Sequence, residues 1–284
     1  MSKNLTITLS SNGQSWKFGS RTTYGIISID GLDALDIAIS TKDNAQYDGA
    51  SVEGIHVGAR HITTDIKIPE NDRSEDLRDW LLGFLNPHYE GTMTIERDNS
   101  KRTINYRIAE RHTERDNLHT PMTLVIDFLC PDPYFSGDTF SKNIASSIPA
   151  LSCGLDVWEG AGLYVEWKEF SDTVTVDNHG DLESGINIQF KANGAVVNPQ
   201  LDNLTTGEFV RVITTLKSGD VLTINTNRGN KRIELNGKNI SNLKDRGSSF
   251  FQIAPGQNVL KYKADDGYTN LEVYLEWTTR YMGA

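Results

Sequence analysis

Histidines, carboxylates and clustered aromatics are the side chains of this chain that could do chemistry. The six histidines are His56, His61, His88, His112, His119 and His179. His56 and His61 are an odd number apart, as are His112 and His119, so on a regular strand each pair would face opposite sides of a sheet. A shared metal ion is therefore not expected from local spacing. Asp265-Asp266-Gly267 has the look of a calcium loop but lacks the alternating carboxylates and closing glutamate of an EF-hand, so it reads as a turn. Glu272 and Glu276 sit on the polar phase of a strand, whereas glycosidase chemistry needs one desolvated acid in a cleft. No GxSxG, GxxxxGK, GxGxxG or HExxH string occurs. No catalytic residue, cofactor or metal is expected.

Aromatic rings could instead stack on sugars. Trp158, Tyr164 and Trp167 fall in an irregular stretch and form a candidate surface patch, for glycan contact or for a subunit interface. Trp277 continues the apolar phase of Leu271, Val273 and Leu275 and is expected in a core. The two cysteines, Cys130 and Cys153, are too few for a secreted disulfide scaffold and read as buried thiols, though pairing stays open.

The elements that would position these groups are mostly strands. Leu5, Ile7 and Leu9 alternate with Thr6 and Thr8, and Leu35, Ile37 and Ile39 with Asp36, Ala38 and Ser40. Such alternation puts apolar side chains on one sheet face. Similar runs lie at 61–68, 92–96, 103–108 and 122–129. One helix is expected over 74–86. Ser74 would cap it, Glu75 and Asp76 would complement its dipole, and Leu77, Trp80, Leu81, Phe84 and Leu85 form one stripe that ends at Pro87. Residues 136–150 lose the alternation and read as a linker. Short, evenly spaced strands then return to the end, with Asn193-Gly194, Asn236-Gly237 and Asp266-Gly267 as turn signals.

Length and charge bound the function. At 284 residues the chain suggests two domains, 1–135 and 151–284. Its net charge is −10, with an acidic excess in both halves, so a sequence-specific nucleic-acid reader is not expected. Neither a membrane-spanning run nor a secretory signal is visible.

Several stretches together resemble the distal tail protein family of long-tailed, siphovirus-like bacteriophages. In the first half these are GIHVGARHI, LRDWLLGFLNP, GTMTIERDNSKRTINYRI and FLCPDPYF. In the second they are VDNHGDLESGINIQF, TLKSGDVLTINTNRGNKRIELNG, SSFFQIAPGQNVLKYKADDG and LEVYLEWTTRY. The resemblance covers essentially the whole chain. It implies a mainly β protein of two domains. The first would be a β-sandwich or split-barrel-like, ring-forming domain with one helix; the second, a galectin-like or carbohydrate-binding-module-like antiparallel sandwich.

The resemblance further implies a structural virion protein at the phage tail tip, assembled in the bacterial host cytoplasm. It would form a hexameric ring, alone or as stacked rings, that joins the tail tube protein to a tail-associated tip protein and in some phages to receptor-binding proteins. The rival reading is a carbohydrate-binding protein that contacts host cell-wall polysaccharide through its second domain. Galectins carry His-x-Asn-Pro-x-Arg; Asn198-Pro199 here has neither the histidine nor the arginine, so galactoside binding does not carry over. For ring contacts the candidates are Gly54, His56, Gly58 and Arg60, and the helix exit at Asn86 and Pro87, because exposed segments that combine Gly, His and Arg are more often interface than core.

Overall fold

The computed structural model describes residues 4–44, 48–69, 74–98, 100–114, 121–145, 151–153, 163–165 and 172–284. For residues 74, 75, 145, 151–153 and 163–165 it describes the backbone alone. The chain divides into two units, Met1–Asp138 with Arg280–Ala284, and Thr139–Thr279.

In the first unit the strands are β1 (Leu5–Ser11), β2 (Gln14–Gly19), β3 (Gly25–Asp30), β4 (Ile37–Asp43), β5 (Ala50–Val57) and β6 (Arg60–Ile68). Helix α1 (Ser74–Phe84) follows, then β7 (Gly91–Arg97), β8 (Ser100–Glu114), β9 (Met122–Cys130) and the start of β10 (Phe135–Ala145). The first half of β8 completes a sheet in the order β2-β1-β7-β8. Its second half completes another, β3-β6-β9-β8. The pairing of β8 with β9 shifts register between Ile108 and Glu110, a bulge of the kind that lets one strand turn from one sheet to the next. Between the sheets lie Ile7, Leu9, Phe18, Ile62, Ile66, Met93, Ile104, Tyr106, Ile126 and Phe128, all buried. These are the apolar phases of the alternation. Asn12 and Gly13 both take positive φ (48° and 74°) and close the β1–β2 hairpin, as a type I′ turn requires.

Helix α1 ends two residues before the expected limit. Leu85 N still donates to Leu81 O, but the Asn86 side chain accepts from His88 N at 3.0 Å and turns the chain out before Pro87. Leu81, Phe84 and Leu85 are buried and Leu77 packs beside them, while Trp80 stacks on Phe84 and stays 38% exposed. The Arg111 guanidinium donates to the carbonyls of Leu82 and Leu85, the last turn of the helix, where a cation also complements the dipole. The capping roles expected of the Ser74 and Glu75 side chains lie outside the described residues.

The segment 136–150, expected as a linker, carries strand β10 as far as Ala145. Phe135 and Ile144 are buried, and the polar residues between them hide the strand from a periodicity reading. In the second unit β11 (Leu151–Cys153) pairs with β12 (Leu163–Val165). The remaining strands are β13 (Thr173–Asn178), β14 (Ile186–Ala192), β15 (Val196–Val197), β16 (Gln200–Asn203), β17 (Glu208–Arg211), β18 (Thr215–Leu216), β19 (Val221–Asn225), β20 (Arg232–Leu235), β21 (Lys238–Asn239), β22 (Gly256–Lys263) and β23 (Leu271–Tyr281). One sheet runs β13-β22-β16-β17, the other β23-β14-β19-β20-β21. Ile188, Phe190, Leu201, Val210, Ile224, Leu260, Val273 and Trp277 fill the space between, as an antiparallel sandwich requires. Of the three expected turn dipeptides, Asn236-Gly237 forms the tight hairpin, with φ of 50° and 78°.

The last five residues of the chain fold into the first unit. Arg60, 1% exposed, donates from Nε to Pro133 O at 2.7 Å and from one terminal nitrogen to Gly31 O and Leu32 O, both at 2.7 Å; the other terminal nitrogen donates to Met282 O. Its guanidinium also lies 4.6 Å from the centre of the Phe135 ring. Arg102 donates to Gly283 O and covers the Tyr281 ring, and Arg280 pairs with Asp132. Replacing Arg60 with Met should leave four carbonyls short of a donor and lower the first unit's unfolding free energy by about 3 kcal/mol. Arg60→Lys should recover little of it, because three donors on a single nitrogen cannot reach four carbonyls spread around a planar fork. Urea titration of the three proteins followed by tryptophan fluorescence checks both.

Candidate interaction surface

Among the described residues strands β4 and β5 pair only with each other, and they form a two-stranded hairpin in which nearly every residue is exposed. Ile37 pairs with Val57, Ile39 with Ile55 and Thr41 with Val52; the register shifts between Ser40 and Thr41, which leaves Glu53 as the extra residue of a bulge. Paired residues share a face, so Ile37, Ile39, Val52, Ile55 and Val57 form one apolar face. Ile37, Ile39, Val52 and Ile55 are 52%, 56%, 60% and 68% exposed. Four large aliphatic side chains exposed in one strip make the kind of apolar patch that soluble proteins rarely leave open without a binding role.

The sequence-derived candidates around this hairpin separate. Gly54 pairs with Ser40 and His56 with Ala38, on the face opposite the isoleucines. Gly58 closes the base of the hairpin, donating from N to Asp36 O at 2.8 Å. Arg60 is an internal clamp whose three guanidinium nitrogens all donate within its own unit. Asn86 is half-buried and Pro87 exposed at the helix exit, close in sequence to the exposed Trp80 and Tyr89. The alternation of Ile37 and Ile39 was visible in the sequence, but alternation reports a face and not what covers it.

A second surface is the outward face of the β3-β6-β9-β8 sheet. Cross-strand register places Asp30, Asp65, Asp127, Glu110 and Glu114 on this face. Lys67 and Arg107 are its fixed cations, and His61 and His112 its histidines. His61 lies 3.2 Å from Asp127, and His112 lies 3.8 Å from Glu110 and 3.2 Å from Glu114. Among the described residues no group of three or more His, Cys, Asp or Glu is arranged to hold a metal ion. In this sheet β3 pairs only with β6, and residues 107–114 of β8 pair only with β9. Each therefore leaves an edge of backbone donors and acceptors without a strand partner among the described residues.

In the second unit Asn198 holds a positive φ of 52° and donates from Nδ2 to Asp265 Oδ2 at 2.7 Å, and Arg211 also reaches Asp265. The two donors hold the Asp265 carboxyl below the usual carboxylate range, the Asn198 bond first. The one asparagine that matches the galectin string is thus engaged internally. Trp158 and Trp167 lie outside the described residues, as does the side chain of Tyr164. Trp277 is 5% exposed and donates to Asp177 O at 3.3 Å.

Cys130 is a free, buried thiol. Burial pushes it up to about 12, against a weaker opposing pull from Arg60. It should therefore resist alkylation by iodoacetamide in the native protein at pH 8 and react fully in urea; peptide mass mapping reads the result, and rapid native labelling would show that the thiol is open to solvent.

Residues 179–281 match the siphovirus-type tail component, C-terminal domain, and residues 11–128 match the phage tail protein RIFT-related domain. Together the two matches span most of the chain. Among solved structures the chain is similar to SPP1 Dit, described as a paradigm of hub adsorption apparatus in Gram-positive infecting phages. The TM-score is 0.69 at 16% identity, with 96% of this chain and 98% of that chain covered. It is also similar to chains of the phage p2 baseplate in its activated conformation. With Ca the TM-score is 0.54 at 9% identity, and with Sr it is 0.52 at 10%; both cover 99% of this chain and 100% of the other. No curated protein matches the chain.

Proposed function

The chain belongs to the siphovirus distal tail protein family and is a structural component of the phage tail, and on that premise we propose that it builds a closed, hexameric ring at the tail tip. The ring joins the tail tube protein to the host-adsorption apparatus through a tail-associated tip protein. The first unit, residues 1–138 with 280–284, forms the ring, and residues 139–279 form an outward sandwich that offers a rigid platform to neighbours.

The observation that carries this reading is the uncovered apolar face of the β4–β5 hairpin. Four exposed aliphatic side chains in one strip would each gain roughly 1.5 kcal/mol or more on burial. The hairpin contributes none of them to its own core. A closed ring needs heterologous contacts, one surface giving and a different one receiving, and a protruding hairpin is suited to give. The open edges of β3 and β8 add further joining capacity. The acidic face of the same sheet suits the wall of a passage for a polyanion, because like charge keeps the transiting nucleic acid from adhering.

Replacing Ile39 and Ile55 together with lysine should convert the assembly to monomers, read as a shift from a hexamer-sized to a monomer-sized species by mass photometry and loss of annuli in negative stain. Because both side chains are exposed in the single chain, the monomer's unfolding free energy should change by no more than about 0.5 kcal/mol per site. A wild-type protein that stays monomeric at high concentration would sink the ring.

A further inference from the structure

Beside the outer edge of β3 lies a groove of about 310 Å³, lined chiefly by Leu5, Ile26, Ile27, Ile29 and Arg97. No described residue of its own chain fills it. Ile27 falls where the β3–β6 register shifts, between Ile26 and Ser28, and stands 56% exposed at the lip. Arg97 is the last residue of β7, and its Nε is shielded from solvent yet has no hydrogen-bond partner. The side chain as a whole is only half-buried, and a guanidinium offers further N–H donors that a carboxylate can take.

The same chain carries the complementary shape. The apolar face of the β4–β5 hairpin presents branched aliphatic side chains in strand geometry, and the hairpin is acidic, with Asp43, Asp48 and Glu53 against Lys42 over residues 37–57. Glu53, the bulge residue between Val52 and Gly54, is exposed at the margin of the apolar strip. Resting on the ring reading, we propose that the groove along β3 is the receptor for the β4–β5 hairpin of a neighbouring copy. Isoleucines pack on isoleucines, and Glu53 of the incoming hairpin supplies a carboxylate to Arg97. Giver and receiver are different surfaces of one chain, so the contact is head-to-tail and repeats around a ring.

Cysteine cross-linking tests the seating. With Ile27→Cys and Ile39→Cys in one chain and Cys153→Ser to remove a competing thiol, mild oxidation should give a ladder of disulfide-linked multimers. An equimolar mixture of the two single variants should stop largely at dimers. Both substituted positions are exposed, so folding is not at stake. A second arm tests the charge. Arg97→Glu should weaken self-association at least tenfold, Glu53→Arg alike, and the double charge swap should restore it. Rings that form without any cross-link, or that ignore Arg97→Glu, would overturn the groove while leaving the ring intact; a wild-type protein that never forms rings would overturn both. Cross-linked monomers alone would place the hairpin on its own groove and overturn the exchange between copies.

Discussion

The first unit depends on one buried cation with no carboxylate among its hydrogen-bond partners. The Arg60 guanidinium is surrounded by carbonyl oxygens from the chain near Gly31 and Leu32, from Pro133 and from Met282, with the Phe135 ring against it. Burial lowers its pKa, the expected direction for a cation removed from water. The carbonyl dipoles offset that cost only while every one of them is in place. Three segments distant in sequence are therefore fixed at a single atom group, and a planar fork of donors is the side chain that can do it. Together with Arg102 on Gly283 and Arg280 on Asp132, this clamp ties the chain's final residues to its first 138 in one compact body.

That clamp has a consequence for the hairpin that precedes it. Arg60 opens β6, and the loop it holds at Gly31 and Leu32 comes just before β4. Both ends of the segment 33–59 are thus anchored on the same guanidinium, and the Gly58 N–H to Asp36 carbonyl bond closes the base between them. The hairpin is free of the core but not of its foundation. A pre-ordered projection loses less entropy on docking than a flexible arm would, which favours a defined partner surface.

Much of this was legible in the sequence because burial on one sheet face writes a period of two. Ile7 and Leu9, the alternating run of β9 and the run Val273, Leu275, Trp277 all face cores as the pattern requires. The helix was legible from its stripe, with Trp80 at the margin left half outside. Three things were not. The polar run of β10 conceals a strand, because backbone pairing needs no side-chain signature. Arg60 looked like a surface residue, since nothing local to a strand's first position announces four carbonyl acceptors. And Ile37 and Ile39 looked like any core-facing pair. Alternation cannot distinguish a face covered by the same chain from one covered by another.

An exposed strip of isoleucines is ordinarily an aggregation hazard, and the chain's other properties bear on how it is held in check. A net charge of −10 spread over both halves keeps random encounters repulsive, so productive contact requires the matched geometry rather than mere stickiness. The bulge at Glu53 breaks the regular edge of β5 and sets a charge beside the apolar strip, which discourages open-ended sheet growth. Closure of the proposed ring would supply the rest. In a ring of identical head-to-tail contacts the last one forms within an assembled chain, at an effective concentration far above that of free subunits. Each interface can then be weak singly while the closed ring is stable, and a single chain can carry its isoleucines exposed until its neighbours arrive.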